Sequence, residues 1–415
     1  MACQTFDGNS HTQSEEDAFL LGSKRTRFAI TAVALFGLAA CNPAPAATPT
    51  VFQPRVTIYA PVEPTPTPAP PTRPPATAAP VATVVLPPTV APVDGTINPF
   101  TGIKARDPAT LAQRPMLVKV ANGTEPGVRP QSGLAEADVV VEHYAEGGIM
   151  RFTALYQTNA PTRIGSVRSC RLTDLELAPL FGGAIACSGM SGGVKLEMRA
   201  SPYLFDKGST DLSKSTLISP DFGMPECEDC MFYRTNTNVP PHNLFASVPR
   251  LREELVRRGK NDKSPFKSWT FSPAPASVSA MADAGVVNIP YTSGVVSWRY
   301  DSATGLWLRS MGGQPHTDQA TGKTLSAANV LVVYANHINT LIVEDATGAK
   351  SIQVQLWDRG PLKLLRDGKL QNGAWLRPTP NGVFDLVSDD KPLPLKPGNT
   401  WIELVPLDMQ IDAKP

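Results

Sequence analysis

An α+β fold with a β-rich C-terminal part is predicted from three observations. Helix signals are concentrated between about residues 172 and 258. From about Ser268 onward, short runs of β-branched and aromatic residues alternate with turn dipeptides. Ahead of both, residues 42–93 are almost wholly Pro, Ala, Thr and Val. Such a stretch cannot bury enough apolar surface to offset its ordering entropy and is expected to be disordered.

Taken in order, Lys24, Arg25 and Arg27 lead into the apolar run Phe28–Gly37, which closes Leu38-Ala39-Ala40-Cys41. A basic start, a short apolar stretch and small residues before a cleavage point mark a secretory signal. The ending is similar to a bacterial lipobox, in which the Cys41 thiol is diacylated and becomes the mature N-terminus. The run is shorter than the ~20 residues needed to span a bilayer, so the anchor is expected to be lipid. Two acyl chains give stable attachment where one does not. Glu15, Glu16 and Asp17 precede the basic stretch. They read either as part of a long n-region or as lying upstream of a start at Leu20 or Leu21, and on both readings Cys3 leaves with the signal. The proline-rich run that follows favours polyproline II at ~3.1 Å per residue, a reach on the order of 150 Å. It reads as a stalk or as a simple tether.

The folded region is expected to begin near Asn98. Met116–Ala121 reads as a strand with a turn at Asn122-Gly123. Val139–Tyr144 and Arg151–Tyr156 read as a hairpin turned by Gly147-Gly148. Thr173 with Glu176 fits a capping box for a helix over 174–180. Gly183–Ser188 reads as a buried strand and Val194–Arg199 as a short helix. Ser247 is placed to cap a helix over 248–257, with Leu251, Leu255 and Val256 as its apolar face and Gly259 as its stop. Further strands are expected at 295–300, 306–309, 329–334, 352–356, 362–365 and 401–405, with turns at Asp367-Gly368 and Asn381-Gly382.

The formal net charge of +1 lacks the basic excess of a nucleic-acid-binding surface. Of six cysteines, Cys170, Cys187, Cys227 and Cys230 remain after the signal. They read as disulfides, free thiols or metal ligands, and outside the membrane disulfides are permitted. Pairing 170 with 187 and 227 with 230 is one of three connectivities.

Several strings line up with a known family. They are Arg129–Asp138, Glu142, Glu146-Gly-Gly-Ile-Met-Arg151, Ile164–Arg171, Pro241-His-Asn-Leu244, and His316-Thr-Asp318 ahead of Asn329-Val330. Together they closely resemble the YerB-like bacterial lipoproteins, whose biochemical role is not established. The resemblance covers about 100–410. It implies an extracytoplasmic lipoprotein with layered sheets and helices mainly on one side, and it brings no activity or cofactor with it. The chain departs from the family at Cys170, where a small residue is usual, and in the Cys227–Cys230 segment.

The densest candidate site is Arg163–Arg171. Guanidinium forks at Arg168 and Arg171, with Arg151, suit a carboxylate or phosphate, and exposed amides at a helix start favour anions. The architectural alternative pairs these arginines with Glu136, Glu142 or Glu146. His242 reads as a base, a ligand donor or a packing group beside Asn243. His316 and Asp318 supply two metal-type ligands, too few for a closed site. Cys170, Ser169 or Ser188 with His242 would make a nucleophile and base on paper. Gly-x-Ser-x-Gly is missing, however, and Ser188-Gly-Met-Ser-Gly192 has the wrong spacing.

The chain therefore divides into a signal region (1–40), a tether (41–97), an α/β part (98–262) and a β-rich part (263–415). Its expected role is that of a lipid-anchored, extracytoplasmic envelope protein. It would bind an anionic cell-wall or peptide ligand through Arg151, Arg168, Arg171, Glu142, His242 and Asn243, without metal or cofactor. An envelope protein–protein module and a Cys/Ser hydrolase of wall polymers are the alternatives.

Overall fold

The computed structural model describes residues 95–263, 268–275, 281–379 and 382–415. Cys41, the signal region, nearly all of the tether and Asn381 lie outside the described residues.

The N-terminal part carries β1 (Met116–Asn122), β2 (Val139–Tyr144), β3 (Met150–Tyr156), β4 (Ile164–Gly165), α1 (Asp174–Leu180), β5 (Ala184–Ala186), α2 (Gly192–Ala200), β6 (Leu217–Ile218), β7 (Phe232–Arg234), β8 (Leu244–Ala246) and α3 (Val248–Arg257). The remainder is built from strands. They are β9 (Met281–Asp283), β10 (Val286–Tyr291), β11 (Gly294–Asp301), β12 (Leu306–Met311), β13 (Gln314–Pro315), β14 (Ser326–Ala327) and β15 (Asn329–Val343). After these come β16 (Lys350–Gln355), β17 (Asp358–Arg366), β18 (Lys369–Arg377), β19 (Asp385–Ser388), β20 (Lys391–Pro392), β21 (Thr400–Pro406) and β22 (Asp412–Lys414). The fold is α+β and rich in strands.

One sheet of 13 strands organises the body, with the path β20-β19-β18-β17-β15-β21-β2-β3-β1-β5-β6. It crosses the division at residues 262/263, because β21 pairs in parallel with both β2 and β15. Smaller sheets contain six strands, β10 to β14 with β22, and three strands, β4-β8-β7.

The expected hairpin forms, with Glu142 opposite Phe152 and His143 opposite Arg151. Strand alternation then sorts side chains between two cores. Val118, Val120, Val140, Phe152 and Ala154 join a core with Val287, Trp298 and Trp307 of the six-stranded sheet. Leu117, Val139, Val141 and Leu155 join a second core with Leu177 and Leu180 of α1 and Val194 and Met198 of α2. α3 packs on the first core through Leu251 and Leu255. The helices are thus divided between the two sides of the sheet, α1 and α2 on one and α3 on the other.

Three local expectations change. Thr173 has helical torsions and makes no capping bond, and the Glu176 carboxylate, the other half of the box, accepts from Arg377 at 2.6 Å instead. The backbone N–H of Arg171 instead reaches Asp174 Oδ2 at 2.7 Å. Ser247 precedes α3 without a side-chain cap. Val256 is 61% exposed, so the buried face of α3 is narrower than its apolar residues suggest. The stop at Gly259 forms with φ +63°.

Trp401 on β21 lies between Phe152 (5.4 Å) and Trp298 (5.3 Å), where both halves of the chain meet. Truncating a buried aromatic of this size costs about 3–5 kcal/mol. Trp401→Ala should lower the urea-unfolding free energy by that amount, while Trp357→Ala, at a half-exposed tryptophan, should change it by about 0.5 kcal/mol or less.

Candidate functional site

Because β1, β2 and β5 run in one direction and β3 runs against them, the carboxyl ends of the three strands share an edge with the start of β3. Arg151 is the second residue of β3 there, Glu146 follows β2, and Ser188 follows β5. The segment 168–170 is held beside that edge by Arg168 N–H to Lys119 O (3.0 Å), Ser188 N–H to Arg168 O (2.9 Å) and Cys170 N–H to Gly189 O (3.0 Å). A disulfide joins Cys170 to Cys187 across it. Ser188-Gly-Met-Ser-Gly-Gly193 connects β5 to α2, with Ser191 Oγ accepting from Val194 N–H.

The three arginines share this edge but not one environment. Arg171 grips both carboxylate oxygens of Glu146 through Nε and Nη2, and Glu344 stands 3.7 Å from it. Burial alone would raise the Glu146 carboxyl, yet the Arg171 fork holds it below the usual range. Arg151 lies 3.9 Å from Glu146. Burial, with Arg171 close by, lowers its guanidinium to about 10. Arg168 is half-buried and donates from Nη2 to His242 Nδ1 at 2.9 Å. That bond requires an unprotonated Nδ1, and burial followed by the Arg168 charge lowers the His242 pKa. Asn243 bonds elsewhere, accepting from Arg234 at 3.0 Å and donating to Thr235 O.

Beneath the edge, on the same face of the sheet, Lys119 is wholly buried. It donates to Asp174 (2.7 Å), Thr153 (3.0 Å) and His143 Nε2 (2.6 Å). Burial outweighs Asp174 and lowers its ammonium to about 8. His143 donates from Nδ1 to Tyr144 O. Burial and the Lys119 charge keep this imidazole neutral.

Glu142 lies on the opposite face. It accepts from Asn122 (2.6 Å) and Arg309 (2.6 Å), wholly buried between the large and six-stranded sheets. Arg309 also bonds His316 Nδ1, whose Nε2 donates to Gln131 at 2.6 Å. Rings of Phe152, Trp298 and Trp401 surround the guanidinium at 5.2–6.0 Å. Glu403 accepts from Tyr291 and Trp298, each at 2.8 Å. Burial, then the nearby Glu142 charge, raises its carboxyl well above the usual range. Asp318 accepts backbone N–H groups of Ala135, Ala320 and Thr321. His316 and Asp318 therefore tie loops together.

The arrangement thus brings Arg151, Arg168, Arg171 and His242 to one edge and leaves Glu142 behind the sheet. The thiol version of a nucleophile lacks a thiol, since Cys170 is bonded to Cys187. Lys119 and Arg309 escaped notice in the sequence, although each places a charge inside an apolar strand pattern, which signals a buried partner.

The profile described as "protein of unknown function (DUF3048) N-terminal domain" matches residues 100–261, and that of the corresponding C-terminal domain matches 287–402. YerB of Bacillus subtilis (strain 168), whose name proposes a lipoprotein, is 31% identical over 313 residues, spanning 74% of this chain and 86% of the relative. The crystal structure of Bacillus subtilis YerB is similar with TM-score 0.62 at 28% identity, covering 76% of this chain and 99% of that one.

The buried titratable groups set a pH dependence. His143 and His316 stay neutral when folded. Acidification below ~6.5 therefore protonates them only in the unfolded chain and removes up to about 1.4 kcal/mol per pH unit for each. Glu403 opposes this, because it keeps when folded a proton that the unfolded chain sheds above ~4.3. Between about pH 5 and 6 the three groups leave a net loss of about 1.4 kcal/mol per unit on acidification. In Glu403→Gln the loss should steepen by about 1.4 kcal/mol per unit in urea titrations, and an unchanged slope would refute a neutral Glu403.

Proposed function

The chain belongs to the DUF3048 family and is a relative of Bacillus subtilis YerB, and on that premise we propose a lipid-anchored, extracytoplasmic envelope protein that binds an anionic cell-wall or peptide ligand. Cys41 is the acylated residue in this reading, and the proline-rich run spaces the body from the membrane. The ligand meets the carboxyl edge of β1, β2 and β5.

The observation that carries the reading is the half-buried Arg168, paired with a neutral imidazole rather than a carboxylate. The imidazole does not cancel the Arg168 charge, and the counter-charge that acts on it comes from the nearby carboxylates of Glu125 and Glu146. Open parallel sheets commonly bind ligands outside their carboxyl ends, and a guanidinium recognises carboxylate or phosphate through two parallel bonds. Arg151 adds positive field, and Glu146 fixes Arg171 in place. Glu142 has no part in it, and Asn243 acts by holding the turn that carries His242.

A second reading, a protein–protein module, rests on the outer half of β15. Beyond Ala335 this strand pairs only with β16, and it exposes Leu341 (92%) and Val343 (46%).

Titrating the full chain with muropeptides and anionic glycans separates the two. Wild type should bind, and Arg168→Ala should bind about tenfold more weakly, equivalent to ~1.4 kcal/mol. Failure of wild type to bind, or an unaffected variant, would sink the ligand site. Capture of a crosslinked envelope protein that is lost in Leu341→Ser would favour the module.

A further inference from the structure

The two disulfides occupy opposite environments. Cys170 and Cys187 are wholly buried in the core shared with α1 and α2. The Cys227–Cys230 bond closes a Cys-Glu-Asp-Cys loop between the turn at Pro220–Phe222 and β7. Cys227, Glu228 and Asp229 are exposed, and Cys230 is half-buried. Exchange requires a thiolate to reach a sulfur, so access separates the two bonds.

Two features make the exposed bond suited to opening and closing. Backbone bonds from Cys230 N–H to Cys227 O (3.1 Å) and from Cys227 N–H to Phe232 O (3.2 Å) shape the loop independently of the sulfurs. Breaking the bond therefore leaves two thiols near each other, ready to re-form it. A loop this short also restricts the unfolded chain less than the 17-residue separation of Cys170 and Cys187 does.

The loop itself is acidic. Glu228 and Asp229 stand exposed within it; the adjacent Glu226 is paired with Arg234 at 2.8 Å, and Arg250 lies within the field of Asp229. The field of Glu228 and Asp229 repels anionic thiols and favours cationic or uncharged ones, an effect that salt screens.

We infer that Cys227–Cys230 is a thiol–disulfide exchange site for an uncharged or cationic dithiol, a role independent of the proposed ligand edge. The incoming thiolate attacks the more exposed Cys227 Sγ. The Sγ–Sγ bond breaks, and its electron pair leaves on Cys230 Sγ, which takes up a proton. The second thiolate of the dithiol then attacks its own sulfur in the mixed disulfide and releases Cys227 Sγ, which is protonated in turn. The dithiol ends as a cyclic disulfide, oxidised by two electrons, and Cys227 and Cys230 end as two thiols.

Peptide-resolved alkylation of the full chain, without denaturant, tests the site. With dithiothreitol, Cys227 and Cys230 should be labelled at least about tenfold faster than Cys170 and Cys187. At low salt, cysteamine should open the bond faster than glutathione. Added salt, or the double variant Glu228→Gln/Asp229→Asn, should narrow that gap. Equal labelling of both disulfides, or a Cys227–Cys230 bond that resists dithiothreitol in the folded chain, would overturn the site. Glutathione matching cysteamine at low salt would overturn its charge preference.

Discussion

The side-chain period of two along β1, β2 and β3 is the constraint on which the placement of the charges buried behind and beneath the site depends. Adjacent positions on each strand face different cores, so Glu142 and His143, one bond apart, serve separate networks. Lys119, His143, Arg151 and Thr153 share one face, and Asn122, Glu142 and Phe152 share the other. A slip of one residue would exchange every member of both sets. It would leave Lys119 without Asp174 and Arg309 without Glu142, and uncompensated buried charge is among the costliest defects a fold can carry. The polar networks therefore specify register as well as occupying space.

The second organising feature is β21, which enters between β2 and β15 and makes one sheet of the N- and C-terminal regions. It supplies Trp401 to the aromatic contacts around Arg309 and Glu403 to the same buried region. The interior between the two sheets is consequently polar at its centre and aromatic around it. The carboxyl edge is a different kind of place, where Arg168 meets His242 and only Arg171 is fully matched by a carboxylate fork.

Local signals in the sequence carried far in places. Alternation with Gly147-Gly148 identifies the β2–β3 hairpin, Leu251 and Leu255 identify the inner face of α3, and Asp367-Gly368 marks the turn between β17 and β18. What escaped notice depends on partners distant in sequence. Thr173 and Glu176 have the spacing of a capping box, but Arg377, 201 residues away, takes the glutamate. Glu142 and Arg151 are close in sequence, yet only the register of the hairpin reveals that they face apart. Arg168 and His242 meet across 74 residues through a hydrogen bond that no local pattern announces. Parallel pairing of β2 with β21 is still less visible, since a strand's composition does not name its neighbour.

The position of β21 also sets an order in time. It is synthesised after every other strand of the large sheet, yet it sits between two of them. Until it emerges, β2 and β15 each present an open edge, a template for pairing with other chains. The sheet cannot close region by region as the polypeptide lengthens, and its long-range pairing makes closure slow as well as late. Completion of the large sheet therefore waits on one of the last segments of the chain, and the edges of β2 and β15 are paired only when β21 joins them.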